Sequence, residues 1–447
     1  MKATPYSTAI TDHLSALPAH EWTHLADSDP NPADAQATVG ADIAALGLGE
    51  TGVPASLSFA SLAERNTSVE LLCRWPLFCC FYSSSTYSVL MYTDGRYDYD
   101  VAVVGGGPAG LTSALYTTRL GMDTIVINRG GGRAAMMTDT HNVIGVTEDV
   151  SGNEFLETAR EQVQDYGGTY ERGFVESVEP LADGNEDGFT VTTSDDELAV
   201  KRVVLATGFA DERPDPPLPR TGKGLHWCLH CDAFMFVGEP VFVMGTGEAA
   251  AHVAMIMLNY TDDVDILTRG DEPEWSDETQ TMLDNHPVDI VDTELSGKRT
   301  DDDGWLSAYE FEDGSVREYK GGFPMLGSDY HAELADELGL DRNDDGTVAV
   351  DDHGETSISG VYAVGDLTPG HNQIPIAMGE GADAGIAIHK DLRKYPRSVD
   401  DIKSEGAVED VDVPAVSEEL FATALTHEGH AAGPHSEATP EARADDD

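Results

Sequence analysis

Tyr99-Asp100-Val101-Ala102-Val103-Val104-Gly105-Gly106-Gly107-Pro108-Ala109-Gly110 decides how this chain folds. Its apolar first half reads as a parallel strand buried on both faces. The strand enters a GxGxxG turn directly, and a helical pattern follows from Leu111 to Leu120. In such a unit Gly105 makes the tight turn, Gly107 lets a pyrophosphate approach the backbone, and Gly110 permits close helix–strand packing. The helix N-terminus then faces the phosphates. A lone GxGxxG is a weak signal; strand, turn and helix in this order is what a dinucleotide fold requires. The next strand, Asp123–Ile127, ends at Asn128, where an acid for the ribose hydroxyl is expected.

Outward from this unit, residues 153–166 form an amphipathic pattern with Phe155, Leu156, Ala159 and Val163 on one face. Short strands with Gly- and Asp-rich turns follow. The run Arg202–Gly208 reads as a strand ending in Ala206-Thr207-Gly208, small residues suited to a backbone that passes close to a cofactor. Arg213–Pro219 is a proline-rich linker and the first domain boundary. A second strand–turn–helix starts at Pro240: Gly245, Gly247 and Ala250 form a GxGxxA turn, with Ala250 in the packing role of the third glycine. Glu248 reads as a cap of the helix that runs to Leu258. The strand Val264–Leu267 leads to Thr268-Arg269-Gly270-Asp271-Glu272, and strands are expected near 288–291, 305–311 and 316–319. Gly321-Gly322 marks the return to the first unit. There, Gly360-Val361-Tyr362-Ala363-Val364-Gly365-Asp366 is a strand ending in an acid, followed by Gln373 and a small-residue helix over 378–392. The fold class is α/β, with two Rossmann-like three-layer domains, the second inserted into the first. The boundaries read as 97–212, 213–322 and 323–396.

Between the two glycine turns lies Cys228-Leu229-His230-Cys231-Asp232. Two cysteines at this spacing can close a small disulfide ring, and the first is held partly as thiolate if it begins a helix. Asp232 then stands close enough to exchange protons with a departing thiol. The alternative is a zinc ligand pair, with His226 and His230 nearby, but this region has no second CxxC or HxxxH to complete four ligands.

The formal charge is −56 over 447 residues, with 82 acidic and 26 basic side chains, and the pI is near 4.2. Such a charge repels nucleic acid and anionic membranes, excluding both as partners. Only 8 of the basic residues are lysine. An acidic, lysine-poor surface suits molar salt, where the Debye length falls to roughly 3 Å. The opening residues have no secretory signal pattern, and the apolar stretch 71–91 is broken by Arg74, Pro76 and a serine run. The other cysteines, Cys73, Cys79 and Cys80, all precede residue 90, so a reducing cytoplasm fits. Residues 1–90 hold three basic and nine acidic side chains, against 23 and 73 in the rest. With Met91 just before the first strand, residues 1–96 are expected to be a poorly ordered or mis-called extension. Residues 397–447 read as an acidic, largely disordered tail with one helix near 417–425, and His427, His430 and His435 as solvated rather than metal-binding.

Taken together, these motifs resemble the low-molecular-weight thioredoxin reductases and their relatives among the FAD-dependent pyridine nucleotide-disulfide oxidoreductases. The resemblance covers about residues 97–395 and rests on the two glycine turns, Ala206-Thr207-Gly208, Cys228-x-x-Cys231-Asp232 and Gly360–Asp366. Order is decisive, because this group carries its CxxC in the inserted domain just before the second glycine turn. The resemblance implies that Gly105, Gly107 and Gly110 hold the FAD pyrophosphate, that Gly365 and Asp366 meet the ribitol–phosphate region, and that Gln373 lies by the isoalloxazine. It implies that Gly245, Gly247, Ala250 and Arg269 hold a nicotinamide cofactor. It further implies a redox disulfide of Cys228 and Cys231 with Asp232 as acid/base, a thioredoxin-like protein substrate, a small domain that swings between two positions, and a homodimer.

Two departures stand out. NADPH-dependent members carry a His-Arg-Arg-type cluster where this chain has Thr268-Arg269-Gly270-Asp271-Glu272, which leaves NADPH, NADH or another donor open. Leu229-His230 replaces the Ala-Thr common inside the motif. A dithiol oxidase passing electrons to oxygen, or a flavin-bound redox sensor without turnover, are the other readings.

Overall fold

A computed structural model describes residues 96–181, 188–413 and 418–426. The expectations for residues 1–95, for His427, His430 and His435 and for the last acidic run lie outside the described residues.

The first sheet is built from β1 (Tyr99–Val104), β2 (Thr124–Asn128), β3 (Thr169–Arg172), β4 (Val175–Pro180), β5 (Phe189–Thr193) and β6 (Glu197–Leu205) in the order 3-2-1-6-5-4. β1 runs parallel to both neighbours, with Val101 opposite Thr124 and Arg202. After β7 (Phe209–Asp211) the chain leaves this sheet. It makes β8 (Arg220–Thr221), β9 (Gly224–Leu225), β10 (Val241–Met244), β11 (Val264–Leu267) and β12 (Asp289–Val291). β13 (Leu295–Thr300), β14 (Leu306–Phe311) and β15 (Val316–Glu318) form an antiparallel sheet of their own, and β16 (Gly321–Pro324) rejoins the second sheet, ordered 12-11-10-16-9-8. β17 (Ser328–Tyr330) pairs antiparallel with β7, so the strands leaving and re-entering the first unit form one ribbon. β18 (Val361–Ala363) then adds parallel to β6. Every strand of the second sheet thus falls between β7 and β17; Gly321-Gly322, expected as the return to the first unit, still belong to the inserted one, because β16 pairs with β10 through them. The architecture is two Rossmann-like units, one inserted into the other.

Alternation explains the layers. Val101 and Val103 pack with α1 (Pro108–Arg119) through Leu111 and Ala114, and with α7 (Ile374–Leu392) through Ala384 and Ile388. Their neighbours Ala102 and Val104 face the opposite side, with Val203, Leu205 and, from α6 (Glu333–Leu338), Leu334 and Ala335. The second sheet repeats this. Val241 and Val243 meet Ala250, Ala254 and Met257 of α4 (Glu248–Met257). Phe242 and Met244 turn to Leu306, Tyr309 and Phe311 of β14. A period of two with both phases apolar is the signature of a strand covered on both faces.

The helices start earlier than the apolar pattern indicates. α1 begins at Pro108, three residues before Leu111, and α7 at Ile374, with Pro375 in its first turn. Proline at the first helical positions loses nothing, since those N–H groups have no partner inside the helix. α2 (Gly152–Asp165) opens with a capping box between Ser151 and Glu154. In the C-terminal segment α8 (Val399–Glu405) and α9 (Glu418–Thr426) are formed, and Leu420 of α9 packs beside Gly121.

Candidate active site

A cavity of about 480 Å³ opens where β1, β6 and β18 end. Gly105 and Gly107 line it, as do Ala206, Thr207 and Gly208 after β6, Gly365 and Asp366 after β18, and Gln373 at the start of α7. Cys228, Cys231 and Asp232 of the inserted unit complete its wall. Gly110 lies beneath: a Cβ there would stand 2.0 Å from the Gly105 carbonyl oxygen. Gly105 has φ +113°, and its Cβ would meet the Ala206 oxygen at 2.3 Å. Gly107 differs, since a Cβ on it would meet nothing within 4 Å. The backbone at Gly107 is therefore open to a ligand, while Gly105 and Gly110 bring strand, turn and helix together. α1 has no side-chain cap, so its first N–H groups are left for an anion.

Cys228 and Cys231 are joined as a disulfide. Cys228 is the N-cap of the short helix α3 (Leu229–Asp232), and its Sγ accepts the Cys231 N–H at 3.1 Å. The side chain of Gln373 reaches this pair from the first unit, with Nε2 3.5 Å from Cys228 Sγ and Oε1 3.9 Å from Cys231 Sγ. Asn142 donates to that same Oε1 at 2.8 Å. Asp232 meets two imidazoles: Oδ2 lies 2.8 Å from His226 Nδ1 and Oδ1 lies 3.3 Å from His141 Nδ1. His226, considered above as a zinc ligand, is thus a partner of the acid that follows the disulfide.

Arg133, Asp211, His141, Asn142 and His331 belong to the cavity wall and were not singled out from the sequence. Arg133 Nε donates to Asp211 at 2.9 Å, its Nη1 donates to Asp366 at 3.2 Å, and its guanidinium stacks over Phe209 at 4.4 Å. Burial pushes the Asp366 carboxyl above the usual range, and Arg133 counters part of that rise. Glu380 is raised for the same reason, while bonds from Gly365 N–H and Thr368 pull it back. One hint for Arg133 existed: an arginine after three glycines in a chain so poor in cations. Asn128, where an acid was expected, donates to the Tyr170 hydroxyl and accepts the Gly130 N–H, which fixes the start of this glycine loop.

The second glycine turn does not join the cavity: Gly245, Gly247, Ala250 and Arg269 lie outside its wall. α4 also starts without a side-chain cap of its own. Glu248, read as that cap, instead accepts the Ser276 N–H at 2.6 Å and the Thr279 hydroxyl at 2.5 Å, anchoring the start of α5 (Asp277–Leu283). Arg269 is the one described non-glycine residue with positive φ, at 60°, and its buried Nε has no partner. Gly270 packs against Glu294, and Asp271 and Glu272 follow it.

Comparison with known proteins agrees with this geometry. Thioredoxin reductase of Bacillus subtilis (strain 168) is 27% identical over 316 residues, which cover 68% of this chain and 98% of that protein. Among solved structures, HlmI matches with a TM-score of 0.62 and 28% identity, over 68% of this chain and 94% of its own. Thioredoxin reductase from Streptococcus pyogenes MGAS5005 matches with a TM-score of 0.60 and 27% identity, over 66% and 98%. The pyridine nucleotide-disulphide oxidoreductase model matches residues 99–381. With two nested nucleotide folds and a disulfide at the mouth of the first, the chain belongs to the pyridine nucleotide-disulphide oxidoreductase family.

Proposed function

We propose that this flavin-dependent disulfide oxidoreductase passes electrons from a nicotinamide nucleotide, through FAD, to the Cys228–Cys231 disulfide and on to a thioredoxin-like protein. The carrying observation is that the disulfide forms part of the wall of the cavity that holds the first glycine turn. The cavity fits FAD: Gly107 opens onto free space and the N-terminus of α1 is uncapped. In this reading Gly105, Gly107 and Gly110 form the pyrophosphate turn, and Ala206, Thr207 and Gly208 pass close to the cofactor. Gly365 and Asp366 would hold the ribitol–phosphate region with Arg133, and Gln373 would lie by the isoalloxazine. FAD, when bound, supplies a carrier that takes a hydride and gives up two electrons.

The chain's own residues do the rest. Cys228 Sγ, hydrogen-bonded to the Cys231 N–H, is suited to hold negative charge once the disulfide opens. Asp232 gives and takes the protons that the two sulfurs exchange, and the dithiol then attacks the partner's disulfide through a mixed disulfide. Gly245, Gly247, Ala250 and Arg269 hold the nicotinamide nucleotide. A single arginine among Asp271, Glu272 and Glu294 gains little from a 2′-phosphate, so NADH is favoured over NADPH.

We place the hinges of the inserted domain at 213 and at 325–327, where the chain passes between the second sheet and the β7–β17 ribbon, and take the enzyme to be a cytoplasmic homodimer. No helix among the described residues is long and apolar enough to cross a membrane. The test is direct. Purified protein should carry FAD whose absorbance bleaches with NADH, and should reduce insulin through a thioredoxin from the same organism. Protein that takes up no FAD, or that keeps its turnover after Cys228→Ser or Cys231→Ser, overturns the proposal.

A further inference from the structure

The acid that follows the disulfide is held by an imidazole on each oxygen, and the two rings differ in surroundings. His226 stands directly after β9, and its side chain is 3% exposed. Its ring meets Phe236 edge-on at 5.0 Å and lies 6.2 Å from Phe323, and its Nε2 is buried with no hydrogen-bond partner. Only Nδ1 has a polar neighbour, Asp232 Oδ2 at 2.8 Å. A ring proton on Nε2 would find no acceptor there, so His226 carries its proton on Nδ1 and donates it to the carboxylate. His226 therefore locks the rotamer of Asp232.

His141 is different. Its side chain is 24% exposed, Nδ1 lies 3.3 Å from Asp232 Oδ1, and Nε2 lies 3.7 Å from Asp139 Oδ1, a carboxylate that is half exposed. His141 belongs to the connection between β2 and α2 of the first unit, whereas Asp232 belongs to the inserted unit. The groups facing Asp232 are then His226 after β9, His141 and beyond it Asp139, and, on its own short helix, the sulfurs and His230.

We propose that His226 is a positioning residue and His141 a proton carrier for the opening of the Cys228–Cys231 bond. This rests on the disulfide-reductase reading above. Opening the bond takes two electrons, which the family's nicotinamide and flavin chemistry supplies, and two protons. The S–S bond breaks and two S–H groups form. Asp232 hands one proton to the departing sulfur and, recharged through His141 from solvent at Asp139, a second to the sulfur left as thiolate. Both protons leave again when the dithiol reduces its partner's disulfide. Because His141 and Asp232 come from different units, the relay is complete only while the sulfurs lie on the cavity. Proton delivery is thereby tied to docking of the disulfide against its electron donor.

The test reads the thiols themselves. Full-length protein is reduced with a phosphine, and the rates of alkylation of Cys228 and Cys231 by iodoacetamide are followed by peptide mass spectrometry. The range is about pH 5 to 9, where imidazoles and thiols titrate. His141→Asn keeps a donor near the Nδ1 position but carries no proton. It should change the rate near neutral pH by about threefold or more, half a unit of displacement along the profile. His226→Asn also keeps its donor and should stay within about twofold of the wild type, whereas His226→Leu frees Asp232 and should shift the profile. If the buried leucine variant does not fold, the two asparagine variants decide alone. A His141→Asn profile that superposes on the wild type overturns the proposal. The assay needs no flavin or nucleotide, so it can succeed when the reductase reading fails, and the reverse.

Discussion

Asn142 donates a 2.8 Å hydrogen bond to Gln373 across 231 residues of sequence, and the far side of that Gln373 amide lies against the disulfide. The amide therefore has one orientation: Oε1 is held by Asn142, which turns Nε2 toward Cys228 Sγ. An amide fixed at both ends aligns the sulfurs with the cavity.

Gln373→Leu should accordingly slow disulfide reduction by about ten- to a hundredfold, the scale set by small misplacements of reacting groups. Asn142→Ala should have a smaller effect in the same direction. Turnover with a small aromatic disulfide, measured beside circular dichroism to verify folding, checks both; an unchanged kcat in Gln373→Leu contradicts the alignment.

Three alanine substitutions separate scaffold from ligand contact in the first glycine turn. Gly110→Ala would place Cβ 2.0 Å from the Gly105 carbonyl, and Gly105→Ala combines a 2.3 Å contact with φ +113°. Each should destabilise the protein by about 1–3 kcal/mol or prevent its folding. Gly107→Ala meets no protein atom, so thermal stability without cofactor should hold while affinity for FAD falls. Differential scanning fluorimetry with and without FAD distinguishes the two classes.

Arg133 bridges Asp211 and Asp366, and its removal leaves two carboxylates facing each other in a largely buried site. Arg133→Met should cost about 1–3 kcal/mol at neutral pH. The sign with pH follows from Asp366, whose folded-state value is already raised by burial. A raised carboxyl contributes stability that is present below its unfolded value and lost as pH rises through the folded one. Without the arginine the folded value rises further. The deficit of Arg133→Met against the wild type should therefore grow as pH climbs from the ordinary carboxylate range toward neutrality. Urea melts at several pH values measure this; a deficit that does not vary with pH refutes the assignment.

A chain with a formal charge of −56 repels itself in dilute buffer. The melting temperature should rise steeply as salt goes from about 0.1 M to above 1 M, as the Debye length shrinks from roughly 10 to 3 Å. Replacing sodium chloride with another 1:1 salt should preserve most of the effect; stability that is flat in salt contradicts the screening argument.

Much of this protein is local in origin. A strand covered on both faces, a glycine turn and a helix follow one another without interruption in Tyr99–Arg119 and again in Val241–Met257, so both units are legible before any contact is known. The placement of Cys228 at a helix start is equally local, since its Sγ meets an N–H three residues on. Glu248 shows where that reading stops. It stands where a cap belongs, yet it bonds Ser276 and Thr279, because the loop after β11 folds back over the N-terminus of α4. Asn128 likewise departs from the expected acid and finds its partner in Tyr170 on the adjacent strand.

The sequence by itself determined the two nucleotide units, their nesting and the reactive pair, since backbone preference and side-chain periodicity act over a few residues. Only the tertiary structure decided what surrounds that pair. His141 reaches Asp232 across 91 residues, Arg133 reaches Asp366 across 233, and Gln373 reaches Cys228 across 145. Such pairings depend on where loops from distant strands meet, within the first unit for Arg133 and across the two units for His141 and Gln373, and no periodicity along the chain encodes that distance.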